Sequence, residues 1–469
     1  MNPGFFERRF RLHENGTDIT REVRGGSVTF LAMAYIIFVQ PAVLSGEMLG
    51  VDTGLDFGAV MVATCITAAL ATAIMALYAR YPIAQAPGMG ENFFFVVSVV
   101  PAAAALGHSQ PGLVALGCVF LAGVAFLLLS LSGLRALLVD AIPPSLKHSI
   151  AVGVGLLIAL IGLENATLIK VDKTLSMNVD FASPDLGIFF FGLFLTGVLT
   201  VRRTRGAIAW GIGLTTLLAV GVKLALPEEG MSSSVSESLL VRKFEIAGSL
   251  FSTPPSLAPT LMKMDIRAAL SASMIPFILV FLVMDLFDTL GTLVAVGERA
   301  GFMHDNRLPR ARQAMLSDAV GTTVGACLGT STVTSFVESA AGVEEGARTG
   351  LAGLVTASLF IVALFLSPLV GMVASYPPIT APALVVVGSL MVGETLKVAW
   401  SDPSESLPAF LTMVGIPLTY SIADGLALGI VSYAIIKFAS GRGGEVHWLV
   451  YVLAALLVPY YVLVRAQVG

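Results

Sequence analysis

Apolar stretches of membrane-crossing length follow one another from residue 25 to residue 464, and that succession leaves this chain few folds to choose from. A bilayer core about 30 Å thick takes roughly 20 apolar residues per helix, and hydrocarbon offers no partner to a backbone N–H or C=O. The expected class is therefore an all-α polytopic membrane protein. Composition agrees: 56% of residues are apolar, 12% are charged and the mean hydropathy is +0.87, against about 25% charged in soluble domains. A net charge of −4 points to no polyanionic partner, so nucleic acid is not expected. Met1 to Arg24 is charged throughout and precedes the first apolar run, so no cleavable leader is expected either.

In order, the spans read as 25–46, 57–79, 83–105, 112–135, 143–164, 186–201, 206–226, 268–297, 313–329, 331–343, 349–374 and 379–397. Region 408–438 is interrupted at Gly415-Ile416-Pro417 and at Asp424-Gly425 and reads as two short spans, while 447–464 either crosses or lies along the surface. Basic residues orient the chain. With the N-terminus inside, Arg24, Arg80, Arg135, Arg202, Arg203, Arg205, Arg307, Arg310, Arg348, Lys397, Lys437 and Arg442 all fall on the cytoplasmic side. The location this gives is a multi-pass cytoplasmic (inner) membrane protein. Cys65, Cys118 and Cys327 are widely spaced in apolar segments and read as small core hydrophobes.

The halves repeat one another. Ile142-Pro-Pro144 opens span five and Tyr376-Pro-Pro378 opens span twelve, and Leu199-Thr200 precedes Gly206-Ala-Ile-Ala as Leu418-Thr419 precedes Gly425-Leu-Ala-Leu. With seven spans in each half, an odd number, the second copy enters from the opposite face; about 14 spans then form two inverted 7-span repeats. In such folds the site sits near the midplane, where broken helices of the two halves meet.

Three segments carry the polar groups. Gly329 to Gly342 holds Thr330, Ser331, Thr332, Thr334, Ser335 and Glu338, too polar for a lipid-facing helix. Its β-branched first part predicts a short extended piece giving way to a half-helix. Span three carries Pro87, Gly88 and Gly90 and then Asn92, Phe93, Phe94 and Phe95, predicting a matching break. Span eight places Asp285 and Asp288 three residues apart on one helix face, with Thr289 and Thr292 beside them. An ionised carboxylate at the bilayer centre costs at least about 2.5–3.5 kcal/mol, and spans three, eight and ten hold no Lys or Arg to pair with one. These carboxyls are expected to face water; the plainer alternative, strongest for Asp288, is an interhelical hydrogen-bond network.

Ala86-Pro-Gly-Met-Gly90 with Asn92, Asp285-Leu-Phe-Asp-Thr-Leu-Gly-Thr292, and Gly329-Thr-Ser-Thr-Val-Thr334 through Glu338-Ser339 together resemble the nucleobase-cation symporter-2 family, in its adenine/guanine/hypoxanthine permease branch. The resemblance runs from Phe5-Phe6 to about Gly443. It implies fourteen spans, a core domain of residues 1–137 and 266–375, and a gate domain of residues 138–265 and 376–469. It further implies purine uptake coupled to protons, with Asp285 and Glu338 binding the base, Asn92 contributing and Asp288 important for transport; Asp288 and Glu338 are the carboxyls expected to carry the coupling proton. Phe93 is available to stack on the base, and Thr334 lines the same segment. Glu91 departs from the resemblance, which calls for an apolar residue there, usually Leu.

Expected partners are thus a purine base, a coupling proton and the lipid bilayer, with homodimer assembly left open; no cofactor, metal or enzymatic activity is expected. A uracil or xanthine permease of the same family is the runner-up, for which Glu in place of Asp285 would be expected. An anion exchanger of the same architecture would want positive charge at the site. A membrane hydrolase would want a His-bearing metal set, whereas His13, His108, His148, His304 and His447 fall at span ends or in loops.

Overall fold

The structure, a computed structural model, describes residues 5–132, 143–171, 175–178, 183–226, 232–303 and 308–459. Arg135, His304, Arg307 and the end of the last apolar run lie outside them. The chain is helical and membrane-integral: among the described residues eight helices are long and apolar enough to cross a bilayer. The first span is two helices, α1 (Ile19–Met33) and α2 (Ile36–Leu44). Asp18 starts α1 by accepting the Arg21 N–H. Next come α3 (Phe57–Ile74), the strand β1 (Gln85–Pro87), the half-helix α4 (Met89–Phe94), α5 (Pro111–Ser132) and α6 (Pro144–Asn165). Helices α7 (Pro184–Val201) and α8 (Ala207–Ala225) follow.

In the second half lie α9 (Ile275–Arg299), α10 (Ala311–Leu328), the strand β2 (Val333–Ser335), the half-helix α11 (Ser339–Glu344) and α12 (Gly350–Ala363). The chain continues with α13 (Ala381–Met391), α14 (Pro403–Thr419) and α15 (Ile422–Ala439). Strand β1 pairs antiparallel with β2, putting Gln85 opposite Ser335, Ala86 opposite Thr334 and Pro87 opposite Val333. Spans three and ten are therefore broken as expected, and their extended pieces meet.

The repeat has a visible pivot. Helices α6 and α13, which follow the two Pro-Pro pairs, pack on each other through Gly155 and Gly388. A Cβ on Gly155 would lie 2.8 Å from the Gly388 carbonyl oxygen, and one on Gly388 would lie 2.4 Å from that of Gly155. Each glycine lets the partner backbone in, the reciprocal contact expected where two inverted copies cross.

Two boundaries differ from the sequence reading. Span eight begins at Ile275 rather than 268, because Asp265 caps a separate one-turn helix, Ile266–Ala269, ahead of it. The breaks expected at Gly415-Ile416-Pro417 and Asp424-Gly425 are absent: α14 runs through Pro417, and the chain reverses at Tyr420, whose φ is +50°, with Ser421 capping α15. The glycines serve contact instead. A Cβ on Gly425 would come within 2.6 Å of the Ile416 nitrogen, so they let α14 and α15 lie close together.

On the face assigned to the cytoplasm, Arg24 of α1 meets Glu345 at 2.6 Å, and Arg205, from the turn between α7 and α8, meets the same carboxylate. Glu345 thus ties a helix of the first span to the hairpin of spans six and seven.

Candidate functional site at the crossing of spans three and ten

A two-stranded ribbon inside a membrane protein leaves outward-facing backbone groups that must find partners. Hydroxyl side chains of the surrounding helices supply them. The Val333 N–H donates to Thr322 Oγ1 of α10 at 2.9 Å, and the Ser335 N–H to Thr289 Oγ1 of α9 at 3.2 Å. On the other strand, the Gln85 N–H reaches Thr72 Oγ1 at 2.9 Å and the Ala84 N–H reaches Ser339 Oγ at 3.0 Å. Gly329, with φ +111°, ends α10 and turns the chain into the segment leading to β2; a Cβ there would lie 2.2 Å from that of Thr260.

The carboxylates hang on this frame. Asp285 is fully buried; its Oδ2 accepts from Thr322 Oγ1 at 3.1 Å, and its carboxyl group meets that of Asp318. The Thr289 hydroxyl donates to Asp318 of α10, another fully buried carboxyl group. Asp288 behaves differently: one turn along, it is exposed, on the same stripe as the exposed Gly291. Glu338 sits at the start of α11, half-buried beside the exposed Val337, and accepts from the Tyr35 hydroxyl at 3.0 Å. Among the described ion pairs, none involves Asp285, Asp288, Asp318, Glu91 or Glu338.

Asn92 is held from both sides. Its amide donates to Gln40 Oε1 of α2 and accepts from Ser331 Oγ, and Gln40 Nε2 goes on to Thr330 Oγ1 at 3.0 Å. It therefore locks the first span to the segment before β2. Phe93 and Thr334 are buried at the crossing, and Phe94 packs edge-on against Phe281 of α9 at 4.8 Å. Glu91 is also buried, against the ribbon. The structure thus gathers all of Asn92, Phe93, Asp285, Asp288, Thr334 and Glu338 around one ribbon, but only Asp288 and Glu338 of these side chains meet open space in this conformation.

Sequence reasoning missed Gln40, Thr72, Thr322, Tyr35 and Asp318. The cost argument that singled out Asp285 applies equally to Asp318, a carboxylate in the middle of an apolar span, and would have found it. Lone hydroxyls and one tyrosine in apolar helices give no such signal.

Chemically, the crossing offers carboxylate acceptors at two levels, some sealed and some open, with no cation to neutralise them. Such a site suits a solute rich in N–H donors and groups that exchange protons. Broken spans of opposed repeats, meeting mid-chain at an acidic polar centre, define a membrane transport protein of the inverted-repeat type. Residues 21–428 match the model of the xanthine/uracil permease family, described as the permease family, and the chain belongs to that family. It is 40% identical to the guanine/hypoxanthine permease PbuG of Bacillus subtilis, over 97% of this chain and 99% of that one. It is 36% identical to the adenine permease AdeP of Escherichia coli, over 99% and 97%. Among solved structures it resembles the transmembrane domain of the cyanobacterial bicarbonate transporter BicA, with a TM-score of 0.56 at 14% identity, covering 87% of this chain and 97% of that one. That likeness establishes the fold alone.

Proposed function

We propose that this permease imports purine nucleobases, from among adenine, guanine and hypoxanthine, across the cytoplasmic membrane together with protons. The observation that carries the reading is the gathering of unpaired carboxylates around the β1–β2 ribbon in a chain whose relatives are named as purine permeases. A purine presents N–H donors, from the ring and in adenine and guanine also from an exocyclic amino group, which carboxylates at Asp285 and Glu338 accept. Asn92 fixes the ribbon's geometry, Thr334 lines it, and Phe93 bounds it as an apolar wall. Asp288 and Glu338, which meet open space, are the groups that exchange protons with water.

On this reading residues 1–137 and 266–375 form the core that holds the base, and residues 138–265 and 376–469 form the gate against which it moves. The convergence of Arg24 and Arg205 on Glu345 supports a cytoplasmic N-terminus, because it puts independently assigned cytoplasmic residues on one face. Single cysteines at Ser233 and Ser440 test this: membrane-impermeant labelling of intact cells is expected at Ser233 alone, and the reverse pattern would invert the orientation.

Competition tests the substrate class. Uptake of labelled hypoxanthine into cells carrying the protein is expected to be suppressed by excess unlabelled adenine or guanine and left intact by uracil. Suppression by uracil or xanthine with none by adenine or guanine would assign the chain to the uracil/xanthine branch instead.

A further inference from the structure

The carboxylate of Glu91 has no place in the roles above, yet it is set at the centre of the crossing. Glu91 is 2% exposed, and its Oε2 makes no hydrogen bond. Its position is defined: a Cβ on Gly88 would lie 2.2 Å from this oxygen and 2.9 Å from Thr334 Cγ2, so Oε2 fills the space left by the absent Gly88 side chain, beside the ribbon. Asp288 and Asp285 are its charged neighbours. The adjoining Gly90 is partly open, between Val154 and Met284.

Glu91 Oε2 and Gln85 Oε1 are buried oxygens without a donor, and the Thr332 hydroxyl of the same crossing is also without a partner. A buried acceptor without a donor is costly, and a carboxylate oxygen can only accept unless it takes up a proton. Glu91 Oε2 thus lacks a donor, and the solute is the natural source of one.

We propose that Glu91 is a specificity-determining residue, which selects purines bearing an exocyclic amino group over purines bearing only oxo groups. The proposal rests on the nucleobase reading of the same site and names the subclass. Adenine and guanine each carry an amino group, whose two N–H donors hypoxanthine lacks. The C6 amino group of adenine or the C2 amino group of guanine, facing Glu91, satisfies Oε2; hypoxanthine offers an oxo acceptor at C6 and only C–H at C2. Sites built to bond a substrate N–H discriminate strongly against analogues lacking it, and one charge-assisted bond corresponds to roughly ten- to a hundredfold in affinity.

The test is equilibrium binding of adenine, guanine and hypoxanthine to the purified full-length protein, alongside Glu91→Gln, which keeps the shape, and Glu91→Leu, which removes the polar group. The wild type is expected to bind the tighter of adenine and guanine at least about tenfold better than hypoxanthine. In both variants that ratio is expected to fall to about threefold or less, with hypoxanthine affinity within about threefold of wild type. A wild type without amino preference, a ratio unchanged in the variants, or an equal loss for all three bases would overturn the role of Glu91. A wild type that binds none of the three would instead overturn the nucleobase reading on which the proposal stands.

Discussion

Asp285→Asn is expected to reach the membrane in normal amount and to bind purine roughly ten- to a hundredfold more weakly than wild type. Asp285 Oδ2 is engaged by the Thr322 hydroxyl at 3.1 Å, and Oδ1 accepts from no N–H group. A purine N–H arriving at Oδ1 satisfies it and gains a charge-assisted bond. Asparagine has the same outline but offers one acceptor and one donor, so one of the two contacts is lost or opposed. The link between α10 and β2 survives the change, because Thr322 also accepts the Val333 N–H at 2.9 Å. Titration of the purified variant with purine, next to its yield in the membrane fraction, measures both halves of the expectation. Wild-type affinity would move Asp285 out of the binding site.

The second large effect separates holding the base from moving it uphill. Glu338 starts α11, faces the opening beside Val337 and takes a hydrogen bond from Tyr35 of the first span. Glu338→Gln is expected to abolish both binding and uptake, since it removes the carboxylate at the end of the ribbon opposite α9. Asp288 is exposed to the same opening, and one turn of helix separates it from the sealed Asp285. An open carboxyl can trade its proton with water before and after the gate closes. Asp288→Asn is accordingly expected to keep purine affinity within about threefold of wild type while losing accumulation against a gradient. Binding in detergent and accumulation in proteoliposomes under an imposed pH gradient read the two properties separately. If Asp288→Asn still concentrates purine in response to that gradient, Asp288 belongs to a packing network and not to coupling.

The parts of this site that broke a rule were legible before any coordinates. Thr330 to Ser335 is too polar and too β-branched for a lipid-facing helix, and Pro87 and Gly88 interrupt span three, so short extended segments could be placed in spans three and ten. Asp285, Asp288 and Glu338 stood out because a carboxylate in hydrocarbon is costly. What could not be read was the meaning of glycine and proline where they serve packing. Pro417 stays inside α14, and Gly425 lies in α15 with the Ile416 nitrogen 2.6 Å from where its Cβ would be; the actual reversal uses Tyr420, a residue type with no bias toward positive φ. Nor was the partnering of Asn92 with Gln40, 52 positions away, available to a local reading of either span. Local pattern locates a break, whereas the hydrogen bonds that satisfy it come from helices distant in sequence.

The most direct test is transport by the purified wild-type protein alone, reconstituted into proteoliposomes with an alkaline interior and offered labelled adenine, guanine or hypoxanthine outside. Accumulation of at least one of these bases above its external concentration is expected, and a protonophore is expected to collapse it. Purine entry no faster than into protein-free vesicles, together with bicarbonate or chloride exchange in the same preparation, would contradict the account.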